Sequence, residues 1–306
     1  MATLGEPVTR LRLRESGTLL GGIMFCLEIS LGLVGVAAAS WLASGTWRRC
    51  ERWSRSGPDG PDGLIVREVP RPEPREGWAL VRVEAFGLNR SEYKTLRGFA
   101  GDAVTFPRIL GIELVGVVEA VYGDAAPVPP RTKVAALMGG MGRAFDGGYA
   151  EYALVPEYQL IALDTTLPWD VLGALPETFV TAAGSLEHLG LQSGETLLLR
   201  GATSSVGLAC LELARAAGVR VIATTRNEAK GRRLTELGAA GIVLEGDGFG
   251  ERARAALPGG GCDGAMDLIG GPRCLRRCAC CAPARRPATP ARFQILGSSG
   301  ISSRSR

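Results

Sequence analysis

Histidine and lysine are nearly absent from this chain of 306 residues, where His188 stands alone and Lys94, Lys133 and Lys230 are set against 32 arginines. The arginine bias discriminates little, but the scarcity of imidazole matters for metal chemistry. Cysteine is also thin where it would count. Of the 8 cysteines, Cys26 and Cys50 lie near the start, Cys210 and Cys262 in the body, and Cys274, Cys278, Cys280 and Cys281 close to the end. A body so poor in cysteine suits a reducing compartment and excludes a disulfide-stapled scaffold. The terminal four lack the doubled C-x2-C…C-x2-C spacing and any neighbouring histidine, so no metal site is expected there. Long apolar runs are missing everywhere except between Leu19 and Ala43, which excludes a polytopic membrane protein.

What is present is ordinary for a globular chain: 46% apolar and 22% charged residues, with enough length for two domains that each bury a core. The formal charge of +4 is unevenly spread, with +1 over residues 1–63, −4 over 64–273 and +7 over 274–306. An acidic middle argues against a nucleic-acid face, because phosphate contacts need clustered Lys and Arg. The Leu19–Ala43 run has arginines on both sides, carries Glu28 near its centre and contains Ala37-Ala38-Ala39 in the manner of a signal-peptidase site. Three readings stay open for it: an anchor or cleaved signal, a targeting extension, or a segment foreign to the folded protein. Nothing downstream looks secreted, so the expected location is cytoplasmic, with anchoring and membrane contact through residues 19–43 as the alternative.

Organisation follows from punctuation. Ser54–Gly63 is a Gly/Pro/Asp linker, after which Val81–Ala85, Val115–Val121, Lys133–Leu137 and Gly147–Val155 read as short strands of a mostly β domain. Beyond Pro176 strand and helix alternate: strands at Thr196–Arg200, Val219–Ala223, Ile242–Leu244 and Ala265–Ile269, helices at Leu208–Ala217 and Glu228–Leu237. Such βαβ units make an α/β fold with a doubly wound parallel sheet. The expected domains are an extension at 1–63, a β domain at 64–165, a dinucleotide-binding domain at 166–273 and an irregular Arg/Cys/Pro-rich tail at 274–306, in which Phe293–Leu296 could add one short strand. Against the usual six strands, the sheet reads as incomplete.

The junction of the first parallel strand with its helix carries the chemistry. Ala202, Thr203, Ser204, Ser205, Val206 and Gly207 form a turn of small residues where a backbone can approach a pyrophosphate and a helix N-terminus can face it. Ala202 and Ser204 take the places of the first two glycines of the usual fingerprint, and Gly207 that of the third. An NAD site places an acid at the end of the next strand, but this chain has Thr224, Thr225 and Arg226 there. Two hydroxyls and a guanidinium suit a 2′-phosphate, so NADP(H) is the expected cofactor.

Several ordered blocks, GLNRSEY (87–93), FPRILGIELVGVVE (106–119), MGGMGRAFDGGYAEY (138–152), LGALPETFVTAAGSL (172–186), RGATSSVG (200–207) and ATTRNEAK (223–230), together resemble the zinc-independent quinone oxidoreductase branch of the medium-chain dehydrogenase/reductase superfamily. The resemblance covers residues 64 to about 273. It implies a GroES-like β domain, a Rossmann domain with a nicotinamide cleft between them, and reduction of quinones or activated C=C bonds by NADPH. In zinc-dependent relatives a Cys, a His-Glu pair and a second Cys hold the catalytic metal. Here Asn89 takes the first position, Ile112 precedes Glu113 where the His would stand, and no cysteine lies between Leu114 and Ser193, so no metal is expected. An electron-poor quinone or enone needs no Lewis acid to accept hydride.

In similar enzymes the loop bearing Asn89, Glu92, Tyr93 and Lys94 faces the cleft, which makes Asn89, Tyr93 and Lys94 the candidate catalytic residues. Tyr93 is the candidate for a substrate hydrogen bond, although the aromatic residue of many relatives falls one place later, at Lys94 here. The Leu172–Pro176 block and Thr181 pack near the nicotinamide in such proteins. The expected partner is a small-molecule electrophile, and homo-oligomerisation stays open. The resemblance also implies roughly 60 further residues beyond Arg273 that complete the sheet. The alternative is therefore a truncated, non-catalytic relative retaining at most partial NADPH binding.

Overall fold

Alternating apolar residues between Gly and Pro breaks fold the first half of the chain into strands that, apart from the parallel pair of residues 10–11 with 162–163, run antiparallel, and continuous apolar runs fold the second half into parallel ones. The computed structural model describes residues 10–11, 48–52, 64–123, 127–270 and 292–295. The apolar run at 19–43, the linker at 54–63 and the cysteine cluster at 274–281 lie outside these residues. The described residues form two compact units, with the division after Glu177. Among the described residues no helix is long and apolar enough to cross a membrane.

The first unit contains β1 (Arg10–Leu11), β2 (Arg48–Arg52), β3 (Leu64–Glu68), β4 (Trp78–Ala85), β5 (Arg108–Ile109), β6 (Glu113–Ala120), β7 (Lys133–Leu137), β8 (Tyr152–Pro156) and β9 (Ile161–Leu163). They make one sheet ordered β1-β9-β7-β6-β4-β8 and a smaller one ordered β3-β2-β5. Alternate residues of the large sheet, among them Val81, Leu114, Val118, Val134, Ala136 and Val155, point into one apolar cluster. The expected strand at Gly147–Val155 is only half realised. Gly147, Gly148 and Tyr149 donate instead to the carbonyls of Ile109, Gly111 and Leu110, and regular pairing begins at Tyr152.

Two helices complete this unit, α1 (Arg90–Leu96) and α2 (Trp169–Leu172), and α3 (Pro176–Leu189) begins in it. The loop expected around Asn89–Lys94 is thus a helix. Its start has an Asn at the N-cap and a Glu three residues on, with the Glu92 carboxylate accepting the Asn89 backbone N–H at 3.1 Å.

The second unit holds β10 (Thr196–Arg200), α4 (Ser205–Ala216), β11 (Arg220–Thr225), α5 (Glu228–Glu236), β12 (Gly241–Leu244), α6 (Phe249–Ala256), β13 (Gly264–Asp267) and β14 (Arg292–Ile295). The sheet runs β12-β11-β10-β13-β14, with every neighbouring pair parallel. Helices cover both faces. Leu197 and Leu199 pack with residues of α3, α4 and α5, whereas Leu198 packs with Ala253 of α6. All of β10 is buried for that reason, each leucine contributing about 2 kcal/mol from apolar burial.

Candidate functional sites in the two units

β10 ends at Arg200, Gly201 follows with φ +81°, and the chain turns through Ala202–Ser204 into α4. Ser204 secures the turn. Its hydroxyl donates to the Gly201 carbonyl at 2.8 Å and accepts the Gly207 N–H at 3.1 Å, capping the helix. A Cβ on Gly207 would lie 2.4 Å from the Gly201 oxygen and 2.7 Å from the Ala202 Cα, so only glycine lets helix and strand approach this closely. Ala202 is fully buried beneath the turn, while Thr203, Ser204, Ser205 and Val206 are partly or fully exposed. The arrangement presents the positive end of a helix of twelve residues and its first-turn amides to an anion. Ser204 itself is committed to the cap.

At the end of β11 the three expected phosphate ligands separate. Arg226 is exposed in the short link to α5, whose N-cap Asn227 accepts the Lys230 N–H at 3.1 Å. Thr224 is fully buried, and its hydroxyl donates to Glu245 Oε1 at 2.7 Å. Thr225 accepts the Asn227 N–H at 3.2 Å. Neither threonine hydroxyl is turned to an outside ligand, because a buried hydroxyl takes the partner its strand neighbours provide.

Glu245 belongs to a cluster that sequence reading missed. Arg200, the last residue of β10 and 7% exposed in its side chain, donates through Nη1 to Asp267 Oδ2 at 3.0 Å and through Nη2 to Glu245 Oε2 at 3.3 Å. Its Nη1 also reaches the Gly270 carbonyl at 3.2 Å. The register pairs Arg200 directly with Asp267 across β10 and β13. The available signal was a charge closing each of two otherwise apolar strands, TLLLR and GAMD.

In the first unit, α1 carries the other candidates. Asn89 does not stand free: its Nδ2 donates to Glu113 Oε1 at 2.6 Å, and Glu113 Oε2 accepts the Glu177 N–H at 2.8 Å. Glu92 accepts the Ile112 N–H at 2.9 Å. Burial pushes both carboxyls up to about 7, against the pull of these donors and with the charge of Glu177 adding to the rise. Gly87 makes room for the pair, since a Cβ there would lie 2.2 Å from Glu113 Oε1. Tyr93 is 46% exposed and its hydroxyl accepts from Arg97 Nη1 at 3.4 Å, while Lys94 is half-buried. Thr181 sits half-buried on α3, its carbonyl accepting from the Ser185 hydroxyl at 2.7 Å, and His188 is exposed on the same helix.

Two family models match this chain. The alcohol dehydrogenase GroES-like domain matches residues 75–165, and the zinc-binding dehydrogenase model matches residues 205–285. The chain belongs to the medium-chain dehydrogenase/reductase superfamily. Its fold is a GroES-like unit followed by a Rossmann-like unit. Among similar proteins, the quinone oxidoreductase of Homo sapiens is 30% identical over 171 residues, covering 55% of this chain and 50% of that protein. The quinone oxidoreductase of Mus musculus is 33% identical over 182 residues, covering 57% and 52%. The chain therefore spans about half the length of these relatives. The solved quinone oxidoreductase of Coxiella burnetii superposes with a TM-score of 0.64 at 26% identity, covering 74% of this chain and 69% of that one. A solved NAD-dependent alcohol dehydrogenase gives 0.66 at 30%, covering 73% and 71%.

The zinc of some members of this superfamily does not fit the residues present. Where those members offer thiolate and imidazole, this chain has the amide of Asn89 and the alkyl group of Ile112, and both oxygens of Glu113 already accept N–H donors.

Proposed function

We propose that this superfamily oxidoreductase uses NADPH to reduce a quinone or an activated C=C bond without zinc. The observation that carries the reading is the capped turn from β10 into α4, together with exposed Arg226 and no acid at the end of β11. The first-turn amides and dipole of α4 would hold the pyrophosphate, with Gly207 permitting its close approach. The Arg226 guanidinium would pair with the 2′-phosphate. Bound reduced nicotinamide supplies hydride. Tyr93, exposed on α1, would hydrogen-bond the substrate oxygen, while Lys94 adds a cation beside it; one proton taken up from solvent completes the reduction of a quinone to its hydroquinone. Glu113 holds Asn89 and the start of α3 in place.

The test is direct. Purified protein is titrated with NADPH, a simple quinone is added, and loss of the reduced nicotinamide absorbance is followed. Saturable binding with turnover supports the reading. Binding without turnover leaves a nucleotide-binding relative that lacks the chemistry, and no binding at millimolar NADPH removes the assignment.

A further inference from the structure

Resting on the nucleotide reading above, we infer that Arg200 is a positioning residue for the cofactor turn, and that it holds the β13 loop so that Ile269 forms an apolar wall of the nucleotide site. In the order β12-β11-β10-β13, the chain runs outward from β10 to one side and then returns to its other side. Between β10 and β13 the loops leaving the carboxyl ends diverge, and a doubly wound sheet opens its ligand crevice at such a switch point. Arg200 bridges this switch. From the last position of β10, immediately before Gly201, it grips Asp267 and the Gly270 carbonyl across it.

The grip extends through the loop. Asp267 Oδ1 accepts the N–H groups of Ile269 at 2.9 Å and Gly270 at 2.8 Å, and the Arg200 carbonyl accepts the Leu268 N–H at 3.1 Å. The loop lies against the phosphate turn itself: a Cβ on Gly201 would be 3.1 Å from Ile269 Cγ1 and 3.2 Å from Leu268 Cβ. Ile269 nonetheless stays 47% exposed beside that turn. An aliphatic side chain held at a crevice by a buried ion pair is placed to cover the apolar surface of a bound nucleotide. A second carboxylate, Glu245, occupies the far side of the guanidinium, accepting from Nε and Nη2, so the head of Arg200 is held between protein carboxylates and acts through the loop.

Arg200→Lys keeps the charge but not the planar fork that spans two carboxylates and a carbonyl. Hydrogen exchange at the Ile269 and Gly270 amides should rise about tenfold, and NADPH should bind about tenfold more weakly. Ile269→Ala should weaken NADPH binding while leaving those amides protected. Should Arg200→Lys fail to fold, Asp267→Asn serves, because it keeps the acceptor for both amides and removes the ion pair. Unchanged amide exchange, or lost protection with an unchanged NADPH dissociation constant, would overturn the proposal. Wild-type protein that ignores NADPH defeats the nucleotide reading instead, and the exchange comparison still reports on the clamp by itself.

Discussion

Glu92 and Glu113 in the GroES-like unit are 3% and 1% exposed and accept uncharged N–H groups, among them those of Asn89, Ile112 and Glu177, whereas Asp267 and Glu245 in the Rossmann-like unit share the guanidinium of Arg200. Each cluster withdraws two carboxylates largely from water, but only one supplies a full countercharge. Neutral amides soften the cost of burying an anion without cancelling it, so the first pair gains protons near neutrality. A guanidinium gives the second pair its countercharge at the expense of dependence on a single side chain. The first cluster should therefore answer to pH and the second to mutation.

The largest expected effect breaks the second cluster. Arg200→Met strands the buried carboxylate of Asp267 and the partly buried one of Glu245 and should cost about 3–5 kcal/mol of unfolding free energy, read from the urea midpoint and slope. A loss below about 1 kcal/mol would mean that water replaces the guanidinium, and the contrast between the clusters would disappear.

The next effect sharpens the first cluster. Glu92 and Glu113 have folded values of about 7 against 4.5 for the free side chain, so the folded state binds more protons between these limits. Their contribution to stability is complete below pH 4.5 and is lost as the pH rises through about 7. From pH 5 to pH 8 the wild type should lose on the order of 1–3 kcal/mol more than Glu113→Gln, which cannot titrate. Urea midpoints at the two pH values decide it, and equal losses in both proteins would remove Glu113 from the titrating pair.

These clusters also mark where the sequence was legible. β7 and β10 occur at Lys133–Leu137 and Thr196–Arg200 because apolar residues run unbroken between turn-forming ones, a local signal that needs no tertiary knowledge. α4 starts earlier than the Leu208 expected, since Ser204 caps it and the small residues that read as turn already belong to the helix. α6 escaped reading: Gly248 precedes it with φ 71° and glycines follow it, so its eight residues look like loop. α1 was legible in principle from the Asn89-x-x-Glu92 spacing. The ion pair was not, because Arg200 and Asp267 lie 67 residues apart and meet only once the strand order is known. Nor was the bond from the Thr224 hydroxyl to Glu245, 21 residues on in the neighbouring strand's loop.

A smaller effect concerns the exposed neighbour of the ion cluster. Arg226→Asp should move the ratio of NADPH to NADH affinity roughly 10- to 100-fold toward NADH, the worth of one charge-assisted contact. The stability of the unit should hardly change, because Arg226 is exposed. An unchanged affinity ratio would place the 2′-phosphate elsewhere.

The smallest effect separates Thr224 from Arg226. Thr224→Val preserves shape but leaves Glu245 Oε1 without the hydroxyl that donates to it at 2.7 Å, in a place where the side chain is fully buried. Losing one such bond should cost about 1 kcal/mol, well below the loss of Arg200, because the guanidinium still holds the carboxylate by its other oxygen. The NADPH to NADH ratio should stay where it was. A shifted ratio with intact stability would return Thr224 to the cofactor and show that Glu245 does not need it. A loss as large as that of Arg200→Met would mean that the cluster depends on its hydroxyl as much as on its charge.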